Sequence, residues 1–320
     1  MSLDFDISGF KHKRILVVGD IMLDEFIHTK HYRNSPEYKD VPIFNILQKK
    51  SYLGGAANVA LNIKKLGATP YLIGITGIDD ASKTIQSLLK ENDISNAYLY
   101  ENHKINTTKK TRLFRDGKPI CRIDEDANNS NDTLCNQFIL RNLQQAIIQH
   151  KPHAIILQDY NKGVLNADTI PAIIALAKQH HLLIAVDPKF DNWNLYKEVD
   201  LLKPNLEEFC FMCDSKKEHF NLERNAKILQ EIIKFKILLL TLGADGNFIF
   251  DGQYFQTTAI DTPIQNADVC GAGDTVIAVA TLALLCNFSL TQTATLSNKA
   301  GLIICQKNQV QAISFDELSQ

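Results

Sequence analysis

The sequence predicts a doubly wound α/β fold. Three observations carry that expectation: short runs apolar at every position recur along the chain, amphipathic segments separate them, and the two kinds alternate from residue 14 to residue 243. A strand that is apolar on both faces must be covered on both faces, which is the situation of a parallel sheet between helical layers.

The strands are RILVVG (14–19), TPYLIGI (69–75), HAIILQD (153–159), LLIAVD (182–187), DLLKPN (200–205) and KILLLTLG (236–243), all too short for helices and rich in aliphatic residues. Between them, 79–92, 131–150, 167–181 and 221–234 carry apolar residues at helical spacing. Two stretches break the rhythm. Residues 25–52 and 97–124 alternate polar with apolar, and KKTRLFRDGKPICRID contains Asp116-Gly117, a two-residue hairpin signal. They are expected to form a small, half-exposed antiparallel sheet that projects from a single domain over 1–320, covers a site, or pairs between subunits. No repeat, low-complexity tract or flexible linker divides the chain.

Composition narrows the function classes. With 45% hydrophobic and 22% charged residues the chain is of ordinary globular type, and no apolar run reaches the ~18 residues of a membrane span. MSLDFDISGFKHKRILVV places acidic residues ahead of its apolar run, unlike a secretion signal, so a cytoplasmic protein is expected. A net charge of −2 with mixed signs gives no basic face for nucleic acid, so an anionic ligand would be held locally. Seven cysteines without framework spacing fit reduced thiols. Cys210-x-x-Cys213, with only His219 nearby, lacks the second half of a zinc site and reads as two core-facing helical residues.

The chemistry concentrates in DVCGAGDTVIAVATLALL (268–285). Gly271 and Gly273 let the main chain turn tightly and approach a ligand, and the apolar segment from Thr275 is helical. Open N–H groups and the dipole at a helix start make an anion site. A carboxylate inside such a site fits phosphoryl transfer: the amides of Gly271, Ala272 and Gly273 stabilise the migrating group while Asp274 accepts the proton of the attacking hydroxyl. Taken alone, the stretch also reads as a capped, buried helix. Two other phosphate motifs are missing. Gly117-Lys118 runs into Pro119 rather than Ser or Thr, and no G-x-G-x-x-G follows the first strand, where VVGDIMLD continues.

Other stretches supply polar groups at strand ends. In LKPNLEEF, Asn205 and Glu208 either form a capping box or face the crevice above the sheet, where Glu208 can hold Mg²⁺ through water. LTLGADG sets Thr241 and Gly243 at a strand terminus before a turn, suited to main-chain contact with a nucleotide or simply a turn. GDIMLD ends the first strand with Asp20 and Asp24, and SYLGGAANVALNIKKLG starts a helix with Gly54, Gly55 and Asn58. Carboxylates and an amide suit a polyhydroxylated ligand, whereas the glycines also fit close helix packing. Lys110, Arg112 and Lys162 either grip a phosphate or stay solvated. Asp187 and Lys189, past another strand end, either serve a nucleotide or pair with each other.

The ordered series GDIMLD, GGAANVA, KPNLEE, LTLGADG and CGAGDT, spread over most of the chain, resembles the ribokinase-like (PfkB) family of sugar kinases. The resemblance implies one α/β domain with a β-lid, ATP and Mg²⁺ as cosubstrates, Asp274 as catalytic base, and residues 271–273 as the anion hole. It puts Asn205 and Glu208 at the phosphate and magnesium region, and Thr241, Gly243, Lys189 and Asn298 with ATP. SPE (35–37), VPI (41–43), KTR (110–112), DYNKG (159–163) and VDPK (186–189) are similar to the branch that acts on D-glycero-β-D-manno-heptose 7-phosphate. That likeness implies phosphorylation of the anomeric hydroxyl on the way to lipopolysaccharide core, with Asp159 and Lys162 among the substrate residues. It also implies a kinase that stands alone or forms the N-terminal half of a bifunctional ADP-heptose synthase, and a homodimer is expected. A kinase for another sugar, sugar phosphate or nucleoside, and a catalytically silent sensor, are the alternatives. Tyr38, Lys39 and Asp40 lengthen the interval between SPE and VPI, Cys270 stands where the pattern has Thr, and Gln158 where it has Ser.

Overall fold

The computed structural model describes residues 5–126, 132–214, 221–260, 269–307 and 309–320. From the N-terminus the elements are β1 (Arg14–Gly19), β2 (Ile21–Asn34), β3 (Pro42–Gly55), α1 (Ala56–Lys65), β4 (Thr69–Thr76), α2 (Asp80–Glu91), β5 (Leu99–Glu101), β6 (Thr108–Arg115) and β7 (Lys118–Glu125). There follow α3 (Thr133–His150), β8 (Ala154–Gln158), α4 (Thr169–Gln179), β9 (Leu183–Asp187), β10 (Leu201–Leu202), α5 (Leu206–Met212), α6 (Leu222–Ile233) and β11 (Ile237–Thr241). The chain closes with β12 (Asn247–Phe250), β13 (Phe255–Thr258), α7 (Ala272–Leu285), α8 (Leu290–Cys305) and α9 (Phe315–Ser319).

Each of the apolar runs becomes a strand of one sheet, ordered β13-β12-β11-β10-β9-β8-β1-β4-β5. It is parallel from β5 to β11, and β12 and β13 return antiparallel at one edge. Alternation along a strand divides the interior in two. Ile15 and Val17 pack into a core with α1, α7 and α8, while Leu16 and Val18 enter a second core with α3, α4 and α6. The central helix α7 is buried at every position from Asp274 to Ala283, which explains why it is apolar all round.

A second sheet is ordered β3-β2-β6-β7. Its central pair, β2 and β6, runs parallel, so the sheet is mixed and not antiparallel throughout as expected. The difference arises because β6 arrives by a crossover from the main sheet, and a crossover sets strands parallel where a hairpin cannot. The strands also begin earlier than residue 25: β2 leaves β1 after the single residue Asp20, with Ile21 to Phe26 buried. Within 97–124, Leu99–Glu101 joins the main sheet beside β4. The hairpin at Asp116-Gly117 forms as expected, with φ of 50° and 77°, both in the left-handed region that a two-residue primed turn demands.

Cys210 is buried in α5 and Cys213 follows its last turn, where burial first and Cys210 second push the Cys213 thiol up to about 12. His219 lies outside the described residues. Among the described residues no helix is long and apolar enough to cross a membrane, and no cluster of three His, Cys, Asp or Glu is placed to hold a metal.

Candidate active site

Parallel strands end together, and their last residues line a crevice. Gly19, Gln158 and Asp187 lie side by side in register at the ends of β1, β8 and β9. On the next strand Leu202 pairs with Val186, so Lys203 emerges beside Asp187. Against this row stands the start of α7. Gly271 has φ +79°, and a Cβ there would come within 2.8 Å of Asn58 Nδ2, so conformation and space both require glycine. Ala272 N–H donates to Val269 O at 3.2 Å and Thr275 N–H to Gly271 O at 3.0 Å. Among the described residues Gly271, Gly273 and Asp274 donate to no main-chain acceptor, so of the expected 271–273 set only Ala272 is engaged, and Asp274 N–H joins it.

Asp274 is 3% exposed. Its Oδ2 accepts from Asn58 Nδ2 at 2.8 Å, and its Oδ1 from Tyr160 OH at 3.0 Å and Gln158 Nε2 at 3.2 Å. No cation pairs with it directly among the described residues. Burial, and next to it the charges of Asp187 and Asp24, raise its pKa to about 7 against the pull of its hydrogen bonds from Asn58 and Tyr160. A carboxyl titrating there is poised to take a proton from an alcohol.

Gln158 Nε2 also donates to Asp187 Oδ2 at 3.0 Å, and that oxygen pairs with Lys203 Nζ at 3.1 Å. Lys203 is 2% exposed, and a Cβ on Gly273 would lie 3.5 Å from its Nζ. A dry ammonium thus sits at the mouth of α7. The sequence reading passed over Lys203, Gln158 as a ligand of Asp274, and Tyr160. The available signal was Lys203 itself, a lysine closing an apolar strand directly before Pro204 and Asn205.

A cleft of about 720 Å³ opens beside this cluster, lined by Asp187, Lys189, Lys203, Asn205, Glu208, Thr241, Gly243, Ala272, Gly273 and Asn298 among others. All the residues assigned to ATP from the sequence line this cleft. Asn205 and Glu208 form the capping box at the start of α5, and Glu208, 1% exposed, also pairs with Lys189. Both its carboxylate oxygens are engaged, one by Asn205 N–H at 2.8 Å and one by Lys189. Asn298 donates its amide to Thr258 O at 2.6 Å.

The residues assigned to the sugar from the sequence lie in or beside the small sheet, and the charge of Asp24 reaches Asp274. Asp24, in β2 and not at the end of β1, pairs with Arg112 of β6 at 2.5 Å. Gly54 makes room for that carboxylate, since a Cβ would meet Asp24 Oδ2 at 2.3 Å, and Gly55, with φ +58°, starts α1. Lys110 stands 4.9 Å from the Tyr160 ring, with its pKa lowered by burial, and Lys162 pairs with Asp126 at 2.7 Å. Asn58 reaches Asp274 as described.

The carboxylates of Asp20 and Asp159, expected at the substrate, accept hydrogen bonds from the chain itself. The two oxygens of Asp20 accept the main-chain N–H groups of Tyr160, Lys162 and Val164 at 2.8, 3.0 and 3.1 Å. Asp159 takes Tyr196 OH at 2.7 Å, Asn161 N–H at 2.8 Å and Asn192 Nδ2 at 3.0 Å. Both are fully buried loop anchors, holding residues 159–164 above the strand ends. Cys270 is a half-buried thiol just before the α7 cap, and Tyr38, Lys39 and Asp40 are exposed at the far turn between β2 and β3.

The family profile described as pfkB family carbohydrate kinase matches residues 12–317. The chain belongs to the pfkB family of carbohydrate kinases. It is therefore a phosphotransferase. The kinase is 34% identical over 309 residues to bifunctional protein HldE of Helicobacter pylori (strain HPAG1), covering 96% of this chain and 66% of that protein. It is 31% identical over 318 residues to bifunctional protein HldE of Coxiella burnetii (strain Dugway 5J108-111), covering 99% and 65%. The chain thus spans just under two thirds of the length of these relatives. Its fold is that of phosphofructokinase-2 from Escherichia coli in complex with fructose-6-phosphate, with a TM-score of 0.75 at 18% identity and 96% of each chain covered. Arabidopsis thaliana ribokinase complexed with ribose and ATP gives a TM-score of 0.73 at 17% identity, covering 96% of this chain and 97% of that one.

Proposed function

We propose that the kinase transfers the γ-phosphoryl group of ATP to the anomeric hydroxyl of D-glycero-β-D-manno-heptose 7-phosphate, giving the 1,7-bisphosphate. One observation carries the reading: a buried carboxylate with a pKa near neutrality stands at the start of α7, between a cleft of nucleotide size and a lid bearing cations. ATP occupies the cleft along Thr241, Gly243, Lys189 and Asn298. The amides of Gly273 and Asp274 and the ammonium of Lys203 stabilise charge on the migrating group, while Asp274 takes the acceptor's proton. Glu208 and Asn205 offer oxygen donors of the kind a hard cation takes, with Lys189 as the present partner of Glu208. Mg²⁺ held by Glu208 in exchange for Lys189 would neutralise charge on the nucleotide phosphates.

The choice of sugar rests on the HldE relatives and on Lys110, Arg112 and Lys162, which an incoming sugar phosphate would draw from their present partners. ADP release measured over a panel of sugars and sugar phosphates tests it. The heptose 7-phosphate is expected to exceed fructose 6-phosphate, ribose and nucleosides in kcat/KM by ~10²-fold or more. Activity confined to an unphosphorylated sugar or a nucleoside overturns the assignment.

The kinase pairs with a second copy through the small sheet. Strand β7 is exposed along its whole length, and Ile46, Leu47, Ile120 and Ile123 present apolar side chains on this sheet to solvent. Sedimentation should show a dimer that Ile46→Lys with Ile123→Lys converts to a folded monomer; a dimer indifferent to both substitutions refutes this interface.

A further inference from the structure

Tyr160 stands between the acid and the cleft. Its ring lines the cleft, while its hydroxyl donates to Asp274 Oδ1. Burial above all, and then the charges of Asp274 and Asp187, hold the phenol well above its ordinary pKa, so the proton stays on the tyrosine and the carboxylate is the acceptor. A hydroxyl donating to this oxygen at 3.0 Å is the contact that an acceptor alcohol must make with its general base.

The mounting of Tyr160 is asymmetric. Its main chain is fixed, because Asp20 gathers the N–H groups of residues 160, 162 and 164, and Asp159 is anchored by Tyr196 and Asn192. The ring rests instead on two lysine side chains, Lys110 Nζ at 4.9 Å from its centroid and Lys189 Nζ at 5.3 Å. Lys110 belongs to β6 of the small sheet, so a continuous set of contacts runs from that sheet through the ring to Asp274.

We propose that Tyr160 is a positioning residue whose hydroxyl occupies the acceptor's place at Asp274 while no sugar is bound, keeping water off the base and yielding when the acceptor arrives. This rests on the reading of Asp274 as the general base. A base left open beside bound ATP would deprotonate water, and the γ-phosphoryl group would pass to hydroxide and be lost as inorganic phosphate. The tyrosine blocks that path by satisfying the carboxylate with a hydroxyl whose ring is held by Lys110 and Lys189. An incoming sugar phosphate supplies both an anion for Lys110 and a hydroxyl for Asp274, so the two supports of the latch are exchanged together.

Tyr160→Phe deletes the hydroxyl and keeps the ring. The ratio of sugar-independent ATP hydrolysis to sugar phosphorylation, read on one preparation, is expected to rise ~10-fold or more, given that a general base adds ~10²–10⁴-fold to the attack of the hydroxyl it serves. Adding Asp274→Asn should abolish the rise. Lys110→Met, which frees the ring from the small sheet without touching the α7 region, should raise the rate of sugar-independent ATP hydrolysis itself, read without sugar because Lys110 also faces the incoming sugar phosphate, and it provides the test should Tyr160→Phe fold poorly. Sugar-independent hydrolysis that stays at the wild-type rate in a folded Tyr160→Phe, or in Lys110→Met where Tyr160→Phe does not fold, overturns the proposal. An unchanged ratio with phosphorylation still dependent on Asp274 sinks the latch alone, whereas phosphorylation that survives Asp274→Asn sinks the base on which it rests.

Discussion

Asp274→Asn is expected to lower kcat by ~10²–10⁴-fold while the affinity for ATP stays within about threefold, because it removes the proton acceptor and leaves the cleft wall in place. The wild-type pH profile supplies the matching signature. Activity needs the ionised carboxylate, so log kcat/KM should climb with unit slope as pH rises toward about 7 and level off above, and the residual rate of the variant should lack that limb. The stability sign runs the other way from a salt-bridged surface acid. The folded-state pKa is raised above the ordinary 3.8, so the contribution of this group is intact below that value, is lost progressively up to about 7, and is absent above. The asparagine variant is uncharged and removes that slope. It also turns an NH₂ toward groups that all donate, Asn58, Gln158 and Tyr160, a mismatch of about 1–3 kcal/mol. A flat wild-type profile through neutrality, or unchanged turnover in the variant, removes Asp274 from the mechanism.

Much of this site could be read from the chain because its signals are local. The helix start at Gly271 to Asp274 announces itself through glycines, a carboxylate and an apolar period within one turn, and the strands of the main sheet through runs apolar at every position. The edge strands β12 and β13 escaped because four residues carry no readable period. The partners of Asp20 and Asp159 were hidden for a different reason. A carboxylate at a strand end looks the same whether it meets a sugar or the chain's own donors: for Asp20 these are amides of a loop 140 residues away, and for Asp159 they are Tyr196 OH, Asn192 Nδ2 and the nearby Asn161 N–H. The parallel pairing of β2 with β6 is equally non-local, since alternation fixes which face a side chain takes but not which strand lies alongside. The capping box at Asn205 and Glu208 shows the two readings coexisting: the box forms, and its residues still line the cleft.

Lys203→Met should lower kcat by ~10²–10³-fold, the usual loss when one preorganised donor to a developing anion is removed. The side chain is dry, pairs with Asp187 at 3.1 Å and stands beside the open amides of α7, so its charge acts across a short, poorly screened distance. The single substitution cannot be read alone. It strands the buried Asp187 carboxylate with Gln158 as its remaining partner, and breaking a buried pair in this way costs about 3–5 kcal/mol of stability. Asp187→Asn in the same chain removes the stranded charge and keeps an oxygen for Gln158 Nε2, so the double variant should regain most of the lost melting temperature, because an uncharged pair of similar volume replaces an ionic one at little net cost. Turnover should not return with it: the double variant should remain ~10²–10³-fold below Asp187→Asn alone, which sets the baseline for any part that Asp187 itself plays. If the double variant matches that baseline, Lys203 serves the fold and not the phosphoryl group.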